Sequence, residues 1–163
     1  MKPIQMKFMR EAITEAAKSR DEGGIPIGAV VVKDGIIVGR GHNQRIQKMN
    51  PLLHAEIECL TQAFKIYDYS DINNSTLYTT LMPCFMCAGA IIQYGISTVI
   101  SADAETFPHA QRLLESNGIT VVSLNLDESK QILREFILKH REYWISTSMY
   151  NTHVLESDRV GEH

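Results

Sequence analysis

Four side chains in two short motifs could do metal chemistry together. His54-Ala55-Glu56 offers an imidazole and a carboxylate, and Pro83-Cys84-Phe85-Met86-Cys87 offers two thiols. One imidazole and two thiolates supply three of the four ligands of a tetrahedral Zn²⁺. A fourth position left to water makes such a site hydrolytic, whereas a structural site closes it with another side chain. Zn²⁺ lowers the pKa of a bound water toward neutrality, so hydroxide becomes available at ordinary pH. Glu56 stands two residues from a ligand and is not itself needed on the metal, which suits it to shuttle protons. The expectation is one Zn²⁺ per subunit on His54, Cys84 and Cys87, with Glu56 as the catalytic residue.

Neither motif is specific alone. An H-x-E recurs by chance, and a C-x-x-C also describes a redox dithiol or half of a zinc ribbon. Here Pro83 precedes the first cysteine instead of lying between the two, and no second C-x-x-C is present to complete a four-cysteine site. The third cysteine, Cys59, lies five residues after His54 and well around a helix from it, so it reads as a small buried hydrophobe. His109, His140, His153 and His163 have no partner at ligand spacing, whereas His42 draws attention through its neighbour Asn43.

The elements that must position these groups follow from the flanking residues. Thr76 to Leu81 is rich in β-branched and aromatic residues and predicts a strand. Pro83 suits the first turn of a helix, Cys84, Cys87, Ala88, Ile91 and Ile92 recur at helical spacing, and Gly95 is placed to end it. The thiols then sit at a helix N-terminus, whose dipole favours thiolate. Pro51 ends a loop, and the good helix formers after it place His54 and Glu56 in or just before another first turn.

Elsewhere Met6, Met9, Ile13, Ala16 and Ala17 predict the apolar face of a first helix ending near Gly23-Gly24. Ile27 to Val32 and Ile36 to Val38 read as strands joined at Lys33-Asp34-Gly35, a hairpin signal. Strands at Thr98 to Ile100 and Thr120 to Leu124 flank a helix around Ala110 to Glu115. Ile132, Leu133, Phe136 and Ile137 stripe a last helix that Asp127 could cap. The expected fold is α/β, a three-layer α/β/α arrangement with a mixed five-stranded sheet. Residues 1–145 form the domain, and residues 146–163 are a polar C-terminal extension, partly disordered or packing near the site.

With 163 residues, 44% hydrophobic and 21% charged, the chain has room for one globular core. A formal net charge of −3 argues against an extended nucleic-acid surface. Arg40, His42, Arg45 and Lys48 form the nearest thing to a basic cluster and read as a solvated loop beside the site. Three cysteines, two committed to metal, fit a reducing compartment. Charges run through Met1 to Arg20, and no apolar stretch could cross a membrane, so the expected location is cytoplasmic.

Gly39-Arg40-Gly41-His42-Asn43 and Thr76 to Ile96 closely resemble fungal-type cytosine deaminases, and the chain to about Trp144 resembles the cytidine deaminase superfamily, whose signature is H-x-E followed by P-C-x-x-C. The resemblance implies hydrolysis of a free base, cytosine to uracil with release of ammonia, by a homodimer whose partner is a small-molecule nucleobase and no nucleic acid. It implies that Asn43 donates to the pyrimidine oxo group, that Ala55 offers its backbone N–H, and that Phe107 and Trp144 close over the base. Ile27 and Met82 complete the candidate substrate contacts. Two positions depart from the pattern. The fungal enzymes carry an aspartate shortly after the tryptophan, where this chain has Ser146-Thr147-Ser148, and Met82 replaces a small polar residue. Alternatives are deamination of guanine or a related base, deamination of adenosine in transfer RNA, and a zinc-stabilised binding module without activity.

Overall fold

The computed structural model describes residues 3–108 and 110–146. Its elements run α1 (Pro3–Asp21), β1 (Gly28–Lys33), β2 (Ile36–His42), α2 (Ala55–Ala63), α3 (Tyr69–Ile72), β3 (Thr76–Thr79), α4 (Phe85–Gln93), β4 (Thr98–Ser101), α5 (Gln111–Ser116), β5 (Thr120–Ser123), α6 (Asp127–Lys139) and α7 (Arg141–Ser146). The five strands form one mixed sheet in the order β2-β1-β3-β4-β5. β1 pairs antiparallel with both β2 and β3, whereas β3, β4 and β5 run parallel. The opening hairpin turns at Asp34 and Gly35, both with positive φ (49° and 77°), the backbone a tight two-residue turn requires.

Alternate residues of the central strands divide the core into two layers, as the period of a strand demands. Val30, Val32, Tyr78 and Ile100 meet Phe8, Met9 and Ala12 of α1 on one face. Ala29, Val31, Leu77 and Val99 face the larger cluster, which gathers Cys59 and Leu60 of α2, Ala88 and Ile91 of α4, Leu114 of α5, Leu133 and Ile137 of α6, and Trp144 of α7. The expected α/β architecture with helices on both sheet faces is therefore what the chain adopts.

Four local expectations need correction. The buried face of α1 is centred on Phe8, Met9, Ala12 and Ala16, with Met6, Ile13 and Ala17 half-buried at its flanks. β2 runs four residues past Val38, through Gly39 and Gly41. These glycines are needed because α2 lies directly against the strand: a Cβ on Gly39 would lie 2.6 Å from the Cys59 carbonyl oxygen, and one on Gly41 2.3 Å from the Cys59 nitrogen. Pro83 lies before α4 and not in its first turn, since Cys84 is extended (φ −72°, ψ 172°) and is itself the N-cap. Asp127 is the first residue of α6, and Leu126 holds the cap position without a side-chain cap. The C-terminal extension, apart from Ser146 at the end of α7, lies outside the described residues, as does His109.

One end of the strands collects the loops that matter. The register sets Gly28 opposite His42, Ala29 opposite Thr79, and Thr79 opposite Ser101. The segments before β1 and after β2, β3 and β4 therefore emerge side by side. Asn43 N–H donates to the Ile27 carbonyl (2.9 Å), Thr80 N–H to the Gly28 carbonyl (3.0 Å), and Met82 N–H to the Asp103 carbonyl (2.7 Å), which ties these exits together.

Candidate active site

Two helix starts converge where those loops meet. His54 is the N-cap of α2 (φ −74°, ψ 157°) and Cys84 the N-cap of α4. Glu56 and Cys87 follow in the first turns of the same two helices. His54 Nδ1 lies 3.5 Å from Cys84 Sγ and 3.6 Å from Cys87 Sγ. The three donor atoms all fall within 4.8 Å of one another, and among the described residues they are the one such group of His, Cys, Asp or Glu.

The donor set fits zinc. With Zn–S of about 2.3 Å and Zn–N of about 2.0 Å at a tetrahedral angle, nitrogen and sulfur should stand about 3.5 Å apart, which both measured separations match. The nitrogen facing the thiols is Nδ1, a choice the sequence could not make.

The ionisation of the two thiols fits a cation as well. Cys84 is held down to about 4, chiefly by a hydrogen bond from the Cys87 thiol, with His54 adding to the effect against the cost of burial. Cys87 is pushed well up by that same pairing, by burial and by the Glu56 charge. Two thiols this close share one proton, and a divalent ion is what allows both to be thiolates.

Glu56 is buried, with Oε2 3.5 Å from Cys87 Sγ. Burial first, and the negative Cys84 second, raise its carboxyl above the ordinary range. A carboxyl moved toward neutrality in this way can both accept and return a proton.

Above these groups opens a cavity of about 280 Å³, lined on its apolar sides by Ile25, Ile27, Leu81, Met82, Phe107 and Trp144, with Asn43, Arg45, His54, Glu56 and Cys84 as polar members. Ile27, Asn43, Met82, Phe107 and Trp144 thus reach one space with the metal-binding motifs. Ala55 does not line it: its side chain is wholly buried in the core, and only its backbone, at the start of α2, could serve a ligand.

Asn43 is almost fully buried and its orientation is set. Its Oδ1 accepts the Arg45 N–H (3.1 Å), and its own carbonyl accepts the Ser19 hydroxyl (2.6 Å) and the Gln47 side-chain amide (3.0 Å). With the side-chain oxygen engaged, the amide NH₂ is the group left to face a ligand.

The sequence reading missed Ile25, Arg45, Pro51, Leu81, Phe85 and Met86 as lining residues. Phe85 and Met86 were in view as the inner pair of C-x-x-C. Arg45 was assigned to a solvated loop, but its residue is 8% exposed, and burial lowers its pKa against the opposing influence of Tyr143, Cys84 and Cys87. The rest of that basic cluster is dispersed: Arg40 pairs with Glu11 (2.6 Å), and His42 lies between Glu15 (3.2 Å) and Glu22 (3.0 Å). Cys59 is fully buried and its thiol is pushed up, in keeping with a packing role. His140 caps α6 and stacks on Phe136.

The chain belongs to the family defined by the cytidine and deoxycytidylate deaminase zinc-binding region, whose pattern matches residues 3–103. It is accordingly a hydrolase of the deaminase class, acting on carbon–nitrogen bonds and carrying a zinc-binding domain. It is 40% identical over 141 residues to the cytosine deaminase of Candida albicans, covering 85% of this chain and 92% of that enzyme. It is 45% identical over 87 residues to a tRNA-specific adenosine deaminase of Streptococcus pyogenes, a match that spans 53% of this chain and 55% of the relative. The guanine deaminase of Nitrosomonas europaea shares the fold with a TM-score of 0.69 at 26% identity, over 83% of this chain and 84% of that one. Among the described residues no helix is long and apolar enough to cross a membrane.

Proposed function

We propose that this enzyme deaminates a free nucleobase, cytosine to uracil with release of ammonia. The observation that carries the reading is the size and lining of the cavity. About 280 Å³, at the small end of ligand sites, is room enough for a single heterocycle. Its walls offer apolar faces to a planar ring, and its polar groups gather around the zinc motifs and Asn43. Near-complete coverage of the Candida albicans cytosine deaminase at 40% identity favours the same substrate.

Zn²⁺ held by His54, Cys84 and Cys87 would supply an activated water. Glu56 would take a proton from that water, deliver one to the ring nitrogen beside the amine-bearing carbon, and assist the departing ammonia. Asn43 would donate its amide N–H to the ring oxo group, and Ala55 its backbone N–H. Phe107 and Trp144 would sandwich the ring and exclude water, which strengthens each of these polar contacts. Met82 and Ile27 would set the width of the slot. A homodimer, a cytoplasmic location and a place in pyrimidine salvage belong to the same reading.

Replacing Glu56 with Gln tests it. The variant should keep its zinc and lose about 10²- to 10⁴-fold in kcat for cytosine. Retention of most of the activity would refute the assigned role. Measuring ammonia release from cytosine, guanine, adenine, cytidine and transfer RNA decides the substrate, and faster release from guanine or transfer RNA would replace cytosine in this reading.

A further inference from the structure

His42 has no part in the proposed chemistry, yet it precedes Asn43 and is held between two carboxylates. Its ring is 13% exposed, with Nδ1 3.2 Å from Glu15 Oε2 and Nε2 3.0 Å from Glu22 Oε2. Only the doubly protonated imidazolium donates from both nitrogens, so this is the arrangement of the charged ring. Glu15 lies on α1 and Glu22 just past its end, and the ring therefore pins that end of the helix to the end of β2. The other charges around it are Lys18, paired with Glu15 (2.7 Å), Lys48, which acts on Glu22 from the loop after β2, and Arg40 of β2, held by Glu11 (2.6 Å). Burial opposes ionisation of Glu22, but His42, then Gln47 and Lys48, bring its carboxyl below the ordinary range.

The pin reaches Asn43 through two hydrogen-bonded links. The Gln47 side-chain amide lies 3.2 Å from Glu22 Oε2 and 3.0 Å from the Asn43 carbonyl oxygen. The Ser19 hydroxyl, on α1, lies 2.6 Å from the carbonyl oxygens of both Asn43 and Ile25. Both links thus hold the main chain of a residue that lines the cavity. Loss of one ring proton has a defined consequence. Glu15 is buried and Glu22 is half exposed, so water can replace the ring at Glu22, and the proton leaves Nε2. The lone pair left there faces a carboxylate oxygen, and the donor at hand is the Gln44 side-chain amide, 3.4 Å away. The ring then changes partner, and Glu22 is released together with its hold on Gln47.

Resting on the proposed base deaminase activity, we propose that His42 is a positioning residue for Asn43 and that its protonation sets affinity for the base. The imidazolium fixes Asn43 where its amide meets the ring oxo group, and the neutral ring loosens it. Base binding therefore weakens as His42 loses its proton with rising pH, whereas proton transfer at Glu56 does not depend on it.

The test follows the zinc-loaded enzyme by nitrogen NMR between about pH 5 and 8, where histidines change charge. The Asn43 side-chain amide, assigned by its loss in Asn43→Ala, should shift with pH in step with the His42 ring nitrogens, at one common midpoint. In His42→Gln that response should vanish. In Glu22→Gln, which keeps an acceptor for Gln47 but lacks the charge, it should shrink. Kinetics give the second readout. At the acidic end the wild-type KM for cytosine should lie about three- to tenfold below that of His42→Gln, and the two should meet at the alkaline end. The pH course of kcat should be the same in both proteins.

A His42 ring that keeps one state across the interval, an Asn43 amide that ignores its titration, or a KM gap independent of pH would overturn the inference while leaving base deamination intact. Should His42→Gln fail to fold, Glu22→Gln decides, and an undiminished Asn43 response there would overturn it. If wild type deaminates no free base, the base reading fails, and the shared midpoint still decides whether His42 governs Asn43.

Discussion

His54 and Cys84 stand 30 residues apart in the chain, yet each is the N-cap of a helix and their ligand atoms lie 3.5 Å apart. An extended cap residue projects its side chain clear of the helix that follows. Two helices that start at the same end of the sheet's strands therefore bring ligands together with no long, flexible side chain involved.

That arrangement leaves Cys84 unusually reactive when zinc is removed. Its thiol is held to about 4 and it is only partly buried, whereas Cys59 and Cys87 are buried and pushed up. In chelator-stripped protein at about pH 6, iodoacetamide should modify Cys84 first and Cys59 last, and added zinc should protect Cys84. Mass-spectrometric mapping checks the order. Equal labelling of all three would contradict the geometry.

Glu56 makes the zinc-stripped protein sensitive to pH in a defined direction. Its folded pKa is raised above 4.5, so the folded state favours the protonated acid. The stability this group contributes is present below the unfolded value and lost as pH rises through the folded value. Glu56→Gln should therefore match wild type near pH 4 and become progressively more stable than wild type as pH increases. Urea denaturation of both stripped proteins across this range measures the difference. A gap that is constant, or that closes as pH rises, would show that burial does not govern this carboxyl.

Gly41 holds α2 against β2, and its Cβ would meet backbone atoms that cannot rotate away. Gly41→Ala should destabilise the fold by roughly 1–3 kcal/mol. Because α2 carries His54 and Glu56, activity should fall along with stability, and Gly35→Ala, in the hairpin turn, should affect stability without touching the site. Denaturation midpoints and kcat for both variants separate the two effects.

Asn43→Ala should lower kcat/KM for the base by about tenfold to a hundredfold, mostly through KM, with zinc content unchanged. An unaltered KM would mean that the amide serves only the turn at Arg45. Ser19→Ala, which removes the hydroxyl bound to the Asn43 carbonyl, should give a weaker version of the same effect.

The metal ligands, Glu56 and the helices that carry them were legible in the sequence because they are local patterns: one residue between His54 and Glu56, two between the cysteines, and helical periodicity behind each. The strand run was legible too, through alternation and β-branched residues. Other features depended on distant contacts. β2 continues through Gly39 and Gly41 because α2 packs on it, and Pro83 stays outside α4 because Cys84 must be extended to face His54.

Arg45 shows the division most clearly. Composition made it one of several basic residues in a polar loop, and nothing local distinguishes it from Lys48. Only the register of β1 against β2 and β3, which sets the exits of four segments side by side, turns it into the cavity with Asn43, Met82 and Phe107. Spacing along the chain determined which atoms could hold the ion and move a proton. The sheet decided which side chains surround the cavity, because neighbours across strands are set by pairing and not by distance in sequence.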